Sequence, residues 1–159
     1  MPAADTRALS APTGRPRLYH VAPLGLTIAE RVQARKEAAG RRRTWAFPGY
    51  DDDSPERAGF NAGIAYGTWA VDPEMTDNLA SLAYHLTRHT MRVIHSHRYI
   101  VTVNLLQQCA TISVLALSGR TVEVPDLGTH PEISRLAETW GAANLAAGPC
   151  VYAAVTVPA

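Results

Sequence analysis

The clearest periodicity in the chain lies between positions 76 and 94. Leu79, Leu82, Ala83, Leu86, Thr90 and Val93 recur at the 3.6-residue period, which predicts a core-facing helix opened by Thr76. From Arg98 the period changes to two. Tyr99–Leu106 and Ala110–Leu117 read as strands joined at Gln107-Gln108-Cys109, a hairpin. Ser118-Gly119-Arg120 turns the chain into a third strand, Thr121 to Val124. Thr129 then caps a helix from Pro131 to about Trp140, with Glu132 near its start. Gly148-Pro149 breaks the chain before a last strand, Val151 to Val157.

Upstream the signals are polar. Ser54-Pro55-Glu56 places a cap, a proline and an acid where a helix over 55–70 would begin. Thr27 and Glu30 have capping-box spacing and open a helix that Gly40 closes. That helix has only a thin apolar edge, Leu26, Ile28 and Val32, so it docks lightly or meets another molecule. Arg41 to Asp53 reads as irregular, with a turn at Pro48-Gly49. Arg17 to Val21 reads as a short edge strand, and residues 1–16, with three prolines, as a flexible arm. Helices gathered before a hairpin argue for α+β. The expectation is one domain over 17–159: an about four-stranded, mainly antiparallel sheet covered on one face by helices.

Composition narrows the class. A chain of 159 residues with 47 % hydrophobic and 18 % charged positions suits a single globular domain. No apolar run reaches a membrane-spanning length, and the N-terminus lacks the apolar stretch of a secretory signal. A cytoplasmic protein with no membrane partner is expected. Fourteen of fifteen basic residues are Arg, with Lys36 the only lysine. That bias fits a GC-rich genome, such as a high-GC bacterium or its phage, so arginine content alone does not argue for nucleic acid. Charge is nevertheless segregated: residues 1–50 carry +6, 51–77 carry −6, 78–122 carry +4 and 123–159 carry −3.

Enzyme signatures are missing. The chain has no Gly-x-Ser-x-Gly elbow and no phosphate loop, and Cys109 and Cys150 lack a nucleophile's setting. Asp51-Asp52-Asp53 lacks a calcium-loop pattern and reads as a solvated turn. No cofactor and no catalytic residue are assigned. His85, His89, His95 and His97 pair at i,i+4 and i,i+2, spacings that metal sites use. No acidic residue lies between Asn78 and Val122 to complete such a site. With Arg88 and Arg92, His85 and His89 form a candidate anion-binding stripe.

Six of eleven aromatics fall between positions 45 and 69. Arg41, Arg42, Arg43, Trp45, Phe47 and Tyr50 have the composition of a partner-binding hot spot. Gly59, Gly63 and Gly67 share one helix face and suggest close packing against another backbone. Together these features predict a non-enzymatic interaction or assembly protein that pairs with a protein partner or itself as a homo-oligomer. Two alternatives remain open: a nucleic-acid-binding module using Arg41–Arg43 and the His85–Arg98 stripe, and a histidine-metal hydrolase.

Overall fold

The computed structural model describes residues 28–30, 32, 36, 40–118 and 127–159. Its elements are β1 (Arg42–Pro48), α1 (Ser54–Thr68), α2 (Pro73–Val93), β2 (Arg98–Leu106) and β3 (Cys109–Ala116). A 3-10 turn (Leu127–Thr129), α3 (Pro131–Leu136), β4 (Thr139–Leu145) and β5 (Gly148–Thr156) complete it. The strands form one antiparallel sheet in the order β1-β2-β3-β5-β4, with the helices packed against it. Among the described residues the architecture is a single α+β domain with five strands. Ahead of it, Ile28, Ala29, Glu30, Val32, Lys36 and Gly40 are helical and exposed. The expected arm over 1–16 and the strands over 17–21 and 121–124 lie outside the described residues.

The α2 stripe behaves as its period requires. Leu79, Leu82, Ala83 and Leu86 are fully buried and face the sheet, where Val101, Val103, Ile112, Val114 and Val151 are equally buried. Asp72, not Thr76, caps this helix, its carboxylate accepting from the Met75 N–H at 3.2 Å. The helix therefore starts one turn earlier than periodicity indicates. At its other end the Tyr99 hydroxyl donates to the Ile94 carbonyl and accepts from the Ser96 N–H, fixing the turn into β2. Gln107 and Gln108 both take positive φ between Leu106 and Cys109, as a two-residue primed hairpin turn requires.

Two strands depart from the sequence reading. The stretch read as irregular contains β1, because Arg43, Trp45 and Phe47 alternate with Arg42, Thr44 and Ala46 in register with β2. Arginines at the start of the strand mask that alternation. The helix expected to run to Trp140 stops at Leu136. Ala137 is extended, and the Glu138 N–H bonds the Ala154 carbonyl at 3.0 Å, so pairing with β5 captures the chain as β4. Its cap is His130 rather than Thr129. Likewise Ser54 lies inside α1, whose N-cap position is Asp53, without a side-chain cap.

The glycine stripe is used inside the chain, and only in part. A Cβ on Gly59 would sit 3.0 Å from the Ala80 carbonyl oxygen and 3.2 Å from Tyr84 Cβ. At Gly63 the nearest atom would be Ala80 Cβ at 3.4 Å, an ordinary contact, and Gly67 faces open space. Close approach of α1 to α2 thus explains Gly59 first. Gly59→Leu should lower unfolding free energy by about 1–3 kcal/mol in urea titration. Gly67→Ala should raise it by up to about 1 kcal/mol through helix propensity. Equal effects at the two positions would contradict this reading.

Candidate partner-binding face

Helix α1 runs back along β1. Near its start, the Arg57 guanidinium lies 5.8 Å from the Phe47 ring centroid, close to the end of β1. Beyond its C-terminus, Trp69 receives Arg43, from the start of β1, at 6.0 Å. Ala58, Ala62, Ala65 and Tyr66 form the inward side of the helix. The Tyr66 hydroxyl reaches the carbonyls of Asn104 and Thr111, each at 3.1 Å, and burial pushes its phenol well above the ordinary range. This anchor sets the roll of α1 on the sheet.

With that roll fixed, Phe60 and Ile64 point outward, 70 % and 54 % exposed. They are four residues apart and lie on one stripe. Beside Ile64 a cavity of about 210 Å³ opens between α1 and β1, lined by Arg43, Trp45, Asn61, Ile64 and Trp69. The two ends of the face differ in charge. Asp52, Asp53 and Glu56 are exposed where α1 begins, and Asp51 pairs with Arg57 there. Arg41, Arg42 and Arg43 are exposed where β1 begins, and none pairs with a described acidic residue.

Of the sequence candidates, Arg41, Arg42, Arg43, Trp45 and Tyr50 are all at least partly exposed, Tyr50 at 87 %. Phe47 is not available to a partner: it is 5 % exposed and part of the core. Phe60, Ile64 and Trp69 complete the face and were not assigned to it from sequence. Their signal was present, since 60 and 64 fall opposite the alanines of α1 on a helical wheel.

The basic stripe of α2 divides. Arg88 and Arg92 line a cavity of about 450 Å³ opposite Asp52 and Glu56, with the Arg88 Nη1 donating to the Tyr84 hydroxyl at 2.8 Å. His85 and His89 instead meet His130, at ring-centroid distances of 5.7 and 5.2 Å, both edge-to-face. His95 and His97 are exposed in the turn before β2 and do not join them. The third member of the cluster, His130, comes from 41 positions beyond His89, a separation that spacing rules do not reach. Among the described residues no group of three His, Cys, Asp or Glu could hold a metal ion. Of the four candidate anion-binding residues, the two arginines share a cavity with acids and the two histidines lie against a third imidazole.

Burial lowers the pKa of both His85 and His89, and the neighbouring His130 and arginines lower it further; Glu132 opposes the shift at His85.

No protein-family model matches the chain, and no curated protein matches it. Among solved structures it is similar to the RsbU and RsbW domains of Rv1364c from Mycobacterium tuberculosis, with a TM-score of 0.57 and 9 % identity. The match covers 74 % of this chain and 34 % of that one. At this identity the likeness concerns the fold alone. Among the described residues, no helix is long and apolar enough to cross a membrane.

A histidine whose native pKa is depressed binds fewer protons folded than unfolded, so stability rises with pH across its titration. The contribution of His85 and His89 is complete above their ordinary value of about 6.5 and declines as pH falls below it. Melting temperature should therefore drop on acidification from neutral pH. In His85→Gln/His89→Gln the slope should flatten, as followed by circular dichroism; an unchanged slope would assign it to other groups.

Proposed function

We propose that this domain is a non-enzymatic assembly module that pairs with a second copy of itself through the outer face of α1 and the adjoining edge of β1. The observation that carries the reading is the exposed Phe60–Ile64 stripe beside the Arg43–Trp69 cavity, with acids at one end and arginines at the other. A two-fold axis near Phe60 and Ile64 would lay two α1 helices antiparallel. Each copy's Asp52, Asp53 and Glu56 would then approach Arg41, Arg42 and Arg43 of the other. A closed two-fold contact requires this self-complementarity.

Magnitudes support a reversible pairing. Burying four such apolar side chains contributes about 1.5–3 kcal/mol each. Association costs about 4–15 kcal/mol in lost freedom. The two are of similar size, so charge complementarity, worth little per exposed pair, decides orientation more than strength. Arginine and tryptophan, both present at the basic end of the face, are residue types that carry binding energy in such contacts. The competing reading is single-stranded nucleic acid held by Arg41, Arg42 and Arg43 beside Trp45, which would weaken steeply with salt.

Light scattering over a wide concentration range tests the proposal. The parent should rise from 17.2 kDa toward twice that mass. Phe60→Asp/Ile64→Asp should remain monomeric and folded, because neither side chain belongs to the buried core. Arg43→Glu should weaken pairing, and Arg43→Glu/Glu56→Arg should restore part of it. A parent that stays monomeric throughout would refute self-pairing, and oligonucleotide binding lost on neutralising Arg41–Arg43 would favour the competitor.

A further inference from the structure

The His85, His89 and His130 cluster lies at the seam between α2 and the short α3, away from the α1 face. Its chemistry is set by three facts. His130 is the N-cap of α3, its Nδ1 accepting the Ile133 N–H at 3.3 Å. The His130 ring sits against both α2 imidazoles, 5.7 Å from His85 and 5.2 Å from His89. His89 Nε2 is buried and has no hydrogen-bond partner.

Together these facts favour neutral imidazoles. A protonated Nδ1 carries a hydrogen and cannot accept from Ile133. A cation at the start of α3 also opposes the positive end of the helix. Charge on His89 would have to be accommodated at a buried nitrogen with nothing to receive its proton. Three like charges within these ring distances would repel one another.

The groups facing the cluster offset that repulsion only in part, through Glu132 at His85. From α2, Arg88 and Arg92 add positive charge, and Tyr84 packs edge-on to His85 at 4.9 Å. From α3 come Arg135, also positive, and Glu132, whose Oε2 already accepts from Arg135 Nη2 at 2.7 Å. Beneath α2 the sheet presents apolar residues, Ile112, Val114, Val151 and Ala153. Among the described residues, Glu132 is thus the single carboxylate at this seam.

We propose that His85, His89 and His130 form a proton-operated latch that holds α3 against α2 while the three imidazoles are neutral and releases it on acidification. Release would withdraw Ile133, which is fully buried, and loosen the chain around Leu127 without unpairing β2 and β3. The depressed pKa values of His85 and His89 place the transition on the acid side of neutrality. The latch uses none of the residues of the α1 pairing face, so either proposal can fail without the other.

Amide hydrogen exchange on the full chain at about pH 8 and about pH 5, on either side of the ordinary imidazole value, tests it. Protection factors are read at Ile133, Ser134 and Ala137. In the parent they should fall about tenfold at the lower pH, the scale of a lost helix cap, while β2 and β3 amides stay protected. His130→Asn keeps an uncharged cap and should hold protection within about twofold across the same interval. His85→Gln/His89→Gln, which keeps the cap but removes the two other imidazoles, should fall by an intermediate amount. Three results would overturn the latch: no fall in the parent, the same fall in His130→Asn, or loss spread equally over β2 and β3.

Discussion

The contact between the α2 stripe and the middle of the sheet is the constraint on which the remaining architecture rests. Leu79, Leu82, Ala83 and Leu86 lie over Ile112, Val114 and Val151 with essentially no exposure. Each large side chain there contributes about 1.5–3 kcal/mol by leaving water. Helix α1 packs across the flank of α2, where Gly59 lets the Ala80 carbonyl come close. The Tyr66 hydroxyl then fixes the roll of α1 against the sheet carbonyls. The outward direction of Phe60 and Ile64 follows from that roll.

The same helix face therefore owes its exposure to core packing. Alanines fill the inward side of α1 because α2 and the sheet leave little depth beneath it. Phe60 and Ile64 face solvent on the other side, next to β1, an edge strand of the sheet among the described residues. Edge strands carry unpaired backbone groups, and proteins commonly blunt them with charge. Arg41, Arg42 and Arg43 do so here and also supply the basic end of the proposed contact. Protection of the edge and orientation of a partner are compatible roles for one run of arginines.

At the opposite side of α2 the fold handles polar groups differently. His85 and His89 stand at the border of the apolar stripe, where α3 covers them with a third histidine. A cap made by imidazole is stable only while its accepting nitrogen is unprotonated. Apolar burial at Ile133 adds to the hold on α3 beside this cluster.

Much of this was legible in the residues themselves. The α2 period, the β2–β3 hairpin, the α1 start near Pro55 and the α+β class all follow from local spacing, because each is a property of neighbours within a few positions. The chain order could not reveal β1 or β4. Arginines obscured the alternation in β1, and Thr139–Leu145 becomes a strand only because β5 offers it hydrogen bonds. Phe47 looked like a surface aromatic until the sheet and α1 enclosed it. His130 carries no local signal, and the fold alone brings it onto His85 and His89, across more than forty positions of chain. Periodicity and capping are short-range physics, written in order along the sequence. Which faces are buried, and which distant side chains meet, is decided by long-range packing, and only the tertiary structure resolves it.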